Sequence, residues 1–150
     1  MKKMLIVPLL LSSSPLWSAD WPSWLGPDGT GVSTESGWKN NLEEQAWKTK
    51  VGVGFSTVSV AEGRLYTMGH DGRKSGGNET VYCLDAKTGK GIWSHAYPAP
   101  LLDYLHEGGP CSTPTVDGST VYALSKNGIL HAYRASDGKI LWKKEMMQEA

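Results

Sequence analysis

Eleven residues of this chain are written almost twice. Residues 83–93 read CLDAKTGKGIW and residues 132–142 read AYRASDGKILW, 49 positions apart. Each copy opens on a small residue and carries Gly seventh, Lys eighth and Trp eleventh. An internal repeat limits the fold more tightly than composition does, because each copy must be one structural unit that buries its apolar face against the next. The repetition extends upstream, where VAEGRLYTMG (60–69) resembles TVDGSTVYALS (115–125). Gly63 then matches Gly118 at offset 55, and Tyr66 matches Tyr122 at offset 56. The first copy therefore holds about six extra residues, assigned to HDGRKSGGN (70–78), in a unit of about 50 residues.

Within each unit the apolar residues alternate or form short β-rich runs between turn signals, a strand pattern rather than a helical one. The first copy predicts strands at 56–60, 65–68, 80–84 and 92–97. The second predicts them at 112–116, 120–124, 129–133 and 139–143. Turns fall at Glu62-Gly63, Lys87–Gly89, Asp117-Gly118, Asn127-Gly128 and Asp137-Gly138. Asp-Gly and Asn-Gly favour hairpins because Gly accepts a positive φ without a Cβ clash. Four short antiparallel strands per unit of about 50 residues describe a propeller blade. The fold class expected is thus all-β, a β-propeller present only as about two blades and a lone strand.

The eleven-residue stretches resemble the tryptophan-docking motif of the PQQ-like, quinoprotein-type β-propeller repeat. Asp85, Thr88, Gly89 and Trp93 match it in the first copy, with Cys83 in its alanine position. Ala132, Gly138 and Trp142 match it in the second, with Arg134 in place of the acid and Asp137 in place of Thr. The opening DWPSWLGPDGTGVS (20–33) is similar to the mature N-terminus of bacterial members of this family. The resemblance implies that Trp93 and Trp142 are plates between neighbouring blades, each with one indole N–H that must find an acceptor. Trp47 reads as the same plate on a lone outer strand at 42–50. The expected organisation is an extended segment at 20–41, blade one at 55–97 and blade two at 111–144, within propeller repeats over 42–150. Closed propellers have about four to eight blades, so the chain reads as the N-terminal piece of a longer protein, and the remaining blades are its first expected partners.

The N-terminus MKKMLIVPLLLSSSPLWSAD has two lysines, an eight-residue apolar run and a Ser-rich stretch ending at Ala19. That is an export signal over 1–19, too short to span a bilayer, which needs about 20 apolar residues. The expected location is the periplasm or the extracellular space, with no transmembrane segment. Fifteen basic residues balance fifteen acidic ones, so nothing in the charge points to nucleic acid. Cys83 and Cys111 take slots filled by Ala132 and Ser56 in the other copy; an exported protein permits a disulfide between them, but small free thiols in slots that accept small residues are the leading expectation.

His70, His95, His106 and His131 form no metal-ligand spacing, and no nucleophile elbow or phosphate loop occurs. No catalytic, cofactor-binding or metal-binding residue is evident. Long loops on a rigid scaffold are the usual place for binding. In a four-stranded meander the second-to-third turn and the crossing to the next blade share one end. That end collects both insertions, 70–78 and 98–110, with Asp71, Arg73, Asp103, His106 and Glu107 as its polar contacts. Three functions follow. The first is a non-catalytic binding or assembly scaffold with a protein or surface partner. The resemblance also implies a PQQ- and calcium-dependent alcohol or sugar dehydrogenase. The third is a carbohydrate- or surface-binding module. The scaffold is the leading expectation.

Overall fold

A computed structural model of the chain describes residues 19–37, 45–104 and 106–147. The export signal up to residue 18, the end of the extended segment at 38–41 and the start of the lone strand at 42–44 lie outside the described residues. The strands are β1 (Ser59–Ala61), β2 (Arg64–His70), β3 (Asn78–Asp85), β4 (Gly91–Pro98), β5 (Thr115–Asp117), β6 (Thr120–Leu124), β7 (Ile129–Arg134) and β8 (Ile140–Glu145). They form two four-stranded antiparallel sheets, β1-β2-β3-β4 and β5-β6-β7-β8, each in chain order. No helix occurs among the described residues. The fold is all-β: two propeller-type blades whose ring is not closed.

The two sheets repeat each other in detail. Cys83 pairs with Trp93 and Ala132 with Trp142, and in both sheets the register shifts immediately after that pair. Each tryptophan thus lies opposite a residue that is fully buried and small, which explains the small first letter of the motif. The turns before the tryptophans are held by matching backbone bonds. Asp85 N–H donates to Lys90 O and Arg134 N–H to Lys139 O, both at 2.8 Å; Ala86 N–H donates to Gly63 O and Ala135 N–H to Ser119 O, both at 2.9 Å. Gly89 and Gly138 close these turns at φ 68° and 72°, where a side chain would strain the backbone.

The extra length of the first copy is not all loop. β2 has 7 residues against 5 in β6, and β3 has 8 against 6 in β7. His70, expected in the loop, instead ends β2 and is 1% exposed. Its Nδ1 accepts from Gly72 N–H at 3.0 Å, which leaves Nε2 as the protonated nitrogen facing Ala99 O at 3.0 Å. β1 and β5 likewise begin three residues later than expected, at Ser59 and Thr115. Their leading residues carry other bonds: Ser56 Oγ accepts from Met68 N–H, and Ser112 Oγ donates to Leu124 O.

The core lies between the sheets and is built from Tyr66, Met68, Val81 and Cys83 of one with Val121, Ala123 and Tyr133 of the other. Full burial of a Val, Met or comparable side chain contributes roughly 1.5–3 kcal/mol. β1 and β5 approach one another, and the N-terminal segment runs across both. Trp21 and Val60 exchange two backbone bonds at 2.7 and 2.8 Å, and Val116 N–H donates to Pro22 O at 2.8 Å. That crossing satisfies strand edges that would otherwise be open to mispairing. Of the expected lone strand, residues 45–50 take no strand pairing among the described residues. Trp47 and Thr49 hold the segment instead: Trp47 Nε1–H donates to Ala86 O at 3.1 Å and Thr49 Oγ1–H to Gly89 O at 2.8 Å.

Candidate functional site

The two ends of the blades are built differently. At the tight-turn end, Trp93 Nε1–H crosses from blade one to Ala135 O of blade two at 2.9 Å. This is the bond that Trp47 makes to Ala86, one repeat earlier. A Cβ on Gly138 would stand 2.6 Å from the Trp93 ring, and one on Gly89 would run into Trp47. Trp93 also packs on Tyr66 (6.0 Å between ring centroids, 50°) and on Tyr133 of the next blade (5.7 Å, 35°). Trp142 repeats the first contact with Tyr122 (5.9 Å, 50°), and its own ring is 45% exposed. Asp85 Oδ1 stiffens the first turn by accepting from Lys87 N–H, Thr88 N–H and Thr88 Oγ1–H. The Thr88 bonds hold the carboxyl below its usual range. In the second turn Arg134 and Asp137 do the same work through a 3.0 Å ion pair.

At the other end, residues 71–77 between β2 and β3, 99–114 between β4 and β5, and the short 125–128 turn of blade two converge. Asp71 accepts from Arg73 N–H at 3.0 Å, Asn78 N–H at 3.2 Å and Asn78 Nδ2–H at 3.1 Å. The Arg73 amide bond, ahead of the Asn78 contacts, lowers its pKa to about 2. Arg73 also pairs with Asp71 at 3.2 Å. Asp103 pairs with Lys74 at 2.6 Å, a bridge between the two long loops that holds the Asp103 carboxyl low and the Lys74 amine high. Ala99 N–H donates to Gly77 O at 3.0 Å, and Lys126 Nζ donates to Leu102 O at 3.2 Å. These braces border an open cavity of about 460 Å³ lined by Lys74, Gly76, Gly77, Pro98, Pro100 and Asn127, among others.

The five residues expected on this face are not one cluster. Asp71 and Arg73 pair with each other, and Asp103 pairs with Lys74. His106 turns away: its Nδ1 accepts from Gly108 N–H at 3.0 Å, its ring meets Phe55 edge-on at 4.8 Å, and Nε2 lies 3.8 Å from Cys111 Sγ. Glu107 is exposed. Cys111 is exposed and Cys83 buried, both as free thiols; burial raises the Cys83 pKa to about 11.

Lys74, Lys126 and Glu79 were missed in the sequence. Lys74 sits in an insertion already singled out, and Lys126 is a lone lysine in a short turn. Glu79 had a readable signal, since it shares the inward parity of Val81 and Cys83 on β3. It is fully buried, with Oε2 accepting from Tyr97 O–H at 3.1 Å and from Lys126 N–H of blade two at 3.2 Å. The alanines at 86 and 135, fourth in each motif copy, were a further signal, because they supply the carbonyls for the indoles.

Among the described residues no group of three His, Cys, Asp or Glu side chains stands close enough to hold a metal ion. The chain's two cysteines are not adjacent.

A family model described as "Outer membrane protein assembly factor BamB" (PQQ_2) matches residues 16–150. The chain belongs to that family. Polyvinylalcohol dehydrogenase of a Pseudomonas species is 28% identical over 117 residues, covering 69% of this chain and 18% of that protein. Among solved structures, the quinohemoprotein alcohol dehydrogenase ADHIIG of Pseudomonas putida HK5 is 22% identical over 68% of this chain and 14% of its own, with a TM-score of 0.47. BamB from Moraxella catarrhalis is 20% identical over 62% of this chain and 22% of its own, with a TM-score of 0.34. The chain thus spans under a quarter of the length of each of these relatives.

Proposed function

We propose that the chain is part of an exported propeller that acts as a binding or assembly scaffold, with the long-loop end as its partner face. Export rests on the N-terminal pattern of lysines, apolar run and small residues. No helix among the described residues is long and apolar enough to cross a membrane. The observation that carries the reading is the convergence of three loops at one end, tied by Lys74–Asp103, Lys126–Leu102 and Ala99–Gly77. Blade docking consumes the opposite end. Loops held by a rigid scaffold are ordinary binding sites, and the charges of Arg73, Lys74, Asp103 and Glu107 suit a polar protein or envelope surface.

The test places photo-crosslinkers in the full-length protein at Arg73 and Glu107, and separately at Lys87 and Asp137. Adducts confined to the first pair are expected. Adducts from the second pair alone would put the partner on the opposite end.

The dehydrogenase reading is favoured by the identity to polyvinylalcohol dehydrogenase. It predicts that full-length protein supplied with PQQ and calcium reduces a dye when given an alcohol. Such turnover would replace the scaffold reading.

A further inference from the structure

Between the two ends, the joint from blade one to blade two is filled with ionisable rings. β4 sends Trp93, His95 and Tyr97 toward β7, which answers with His131 and Tyr133. His131 stacks on Tyr97 (4.8 Å between centroids, 23° between planes) and on Tyr133 (5.6 Å, 15°), with His95 6.1 Å away. His95 lies 5.4 Å from Tyr133 in turn. His131 is 4% exposed, and its Nδ1 has no hydrogen-bond partner; neither has the buried hydroxyl of Tyr133. Burying a charge without a partner is far more costly than burying a neutral ring. Protons on both imidazoles would also set like charges side by side in a poorly hydrated joint.

We propose that the His95–His131 pair makes this joint an acid-sensitive latch, closed while both rings are neutral and forced open when they take up protons. A backbone bond at Ile129 favours a charged His131, but burial, His95 and Lys143 oppose it. From β4 come His95 and Tyr97. From β8 comes Lys143, its register partner and a like charge. β6 places Ala123 opposite, and Tyr133 lies on its own strand. Glu79 of β3 reaches the cluster through Tyr97: its Oε2 is engaged by Tyr97 and the Lys126 amide, and no bond joins it to either imidazole. Glu145 of β8 pairs with Ile129, two residues along from His131.

Burial holds both imidazoles below the ordinary histidine range, and for His131 the neighbouring His95 and Lys143 add to the effect. The folded joint therefore binds fewer protons than the unfolded chain. Its contribution is complete above the ordinary histidine value of about 6.5 and is lost as pH falls below it. The long loops are braced across the same joint through Glu79 and Lys126, so an open latch also disturbs the partner face.

The indole N–H of Trp93, which crosses the joint, is the probe. In full-length protein labelled with 15N-tryptophan, its hydrogen exchange is followed at pH 7.5 and 5.5 and corrected for intrinsic rate. A loss of about tenfold in protection is expected at pH 5.5, which lies one pH unit below the ordinary histidine value of about 6.5. The variant His95→Phe/His131→Phe should show no such loss. Unchanged protection in the parent protein, or an equal loss in the variant, would overturn the latch. Independently of any variant, imidazole 15N shifts should report a His131 that is more than half neutral at pH 6.5; a ring half or more protonated at that pH would overturn it as well.

Discussion

The two ends of the blade pair are made by opposite rules. At the tight-turn end the copies share their framework: the same backbone closures, a left-handed glycine in the same place, and an indole donating to the carbonyl of Ala86 or Ala135. At the long-loop end the loops themselves do not repeat. Blade one has a seven-residue loop, 71–77, braced by Asp71, while blade two turns in the four residues 125–128. Repetition is what joining like units requires, and variation is what recognising an unlike partner requires. The difference teaches where to look for each property.

The largest effect should come from breaking the repeated end. Trp93→Ala removes a ring packed between Tyr66 and Tyr133 together with the bond to Ala135. A loss of about 3–5 kcal/mol is expected, the usual range for aromatic-to-Ala changes in cores, measured by urea unfolding of the full-length protein. An unchanged midpoint would sink the view of Trp93 as the plate between blades. Gly138→Ala should cost less, about 2 kcal/mol, by combining left-handed strain with a Cβ 2.6 Å from Trp93. Gly118→Ala is the control, for its φ of 53° is also positive but no atom lies within 4 Å of its Cβ position. Equal losses at the two sites would mean that backbone strain, and not the indole, sets the requirement.

Glu79 tests whether the variable end also holds the blades together. Glu79→Ala leaves Tyr97 O–H and Lys126 N–H without their acceptor, and each buried unsatisfied group costs about 1–3 kcal/mol. Both donors reach the same oxygen, Oε2, so Glu79→Gln can keep an acceptor for each while losing the charge, and should lie between parent and Ala. If Glu79→Ala melts like the parent protein, the joint is pinned at the tryptophan end alone.

The contrast between the ends also explains what could be read from letters. Repeated spacing exposed the strands, the turns and the blade architecture, because a tryptophan facing Cys83 or Ala132 needs the same neighbours each time. Strand ends were legible only where a turn sets them. His70 was read as loop because its neighbours are Asp71 and Gly72, yet its ring finds Gly72 N–H and Ala99 O and is buried. Pairings across loops, such as Lys74 with Asp103, have no periodicity to betray them. They depend on how two insertions fold over one another. The separation of His106 from the other expected residues has the same origin, since its direction is set by Gly108 and Phe55.

The smallest effect on stability belongs to the Lys74–Asp103 bridge, and for that reason it sharpens the comparison most. Both groups are solvent-accessible, and exposed ion pairs contribute little to folding. Lys74→Ala, Asp103→Ala and their double variant should therefore melt with the parent protein. A brace that shapes a binding face should instead be seen in partner crosslinking, where each single variant and the double variant lose the same yield. Acid separates the bridge from the histidine joint. The Asp103 carboxyl is held below its usual range by Lys74, so the brace is intact above the ordinary aspartate value and lost only as pH falls through the lower, folded one. Between pH 7.5 and 5.5 the bridge should hold while the joint beneath it loosens. Crosslinking from Arg73 that survives pH 5.5 in the His95→Phe/His131→Phe variant, and fails there in the parent, would assign the acid response to the joint rather than to the loops.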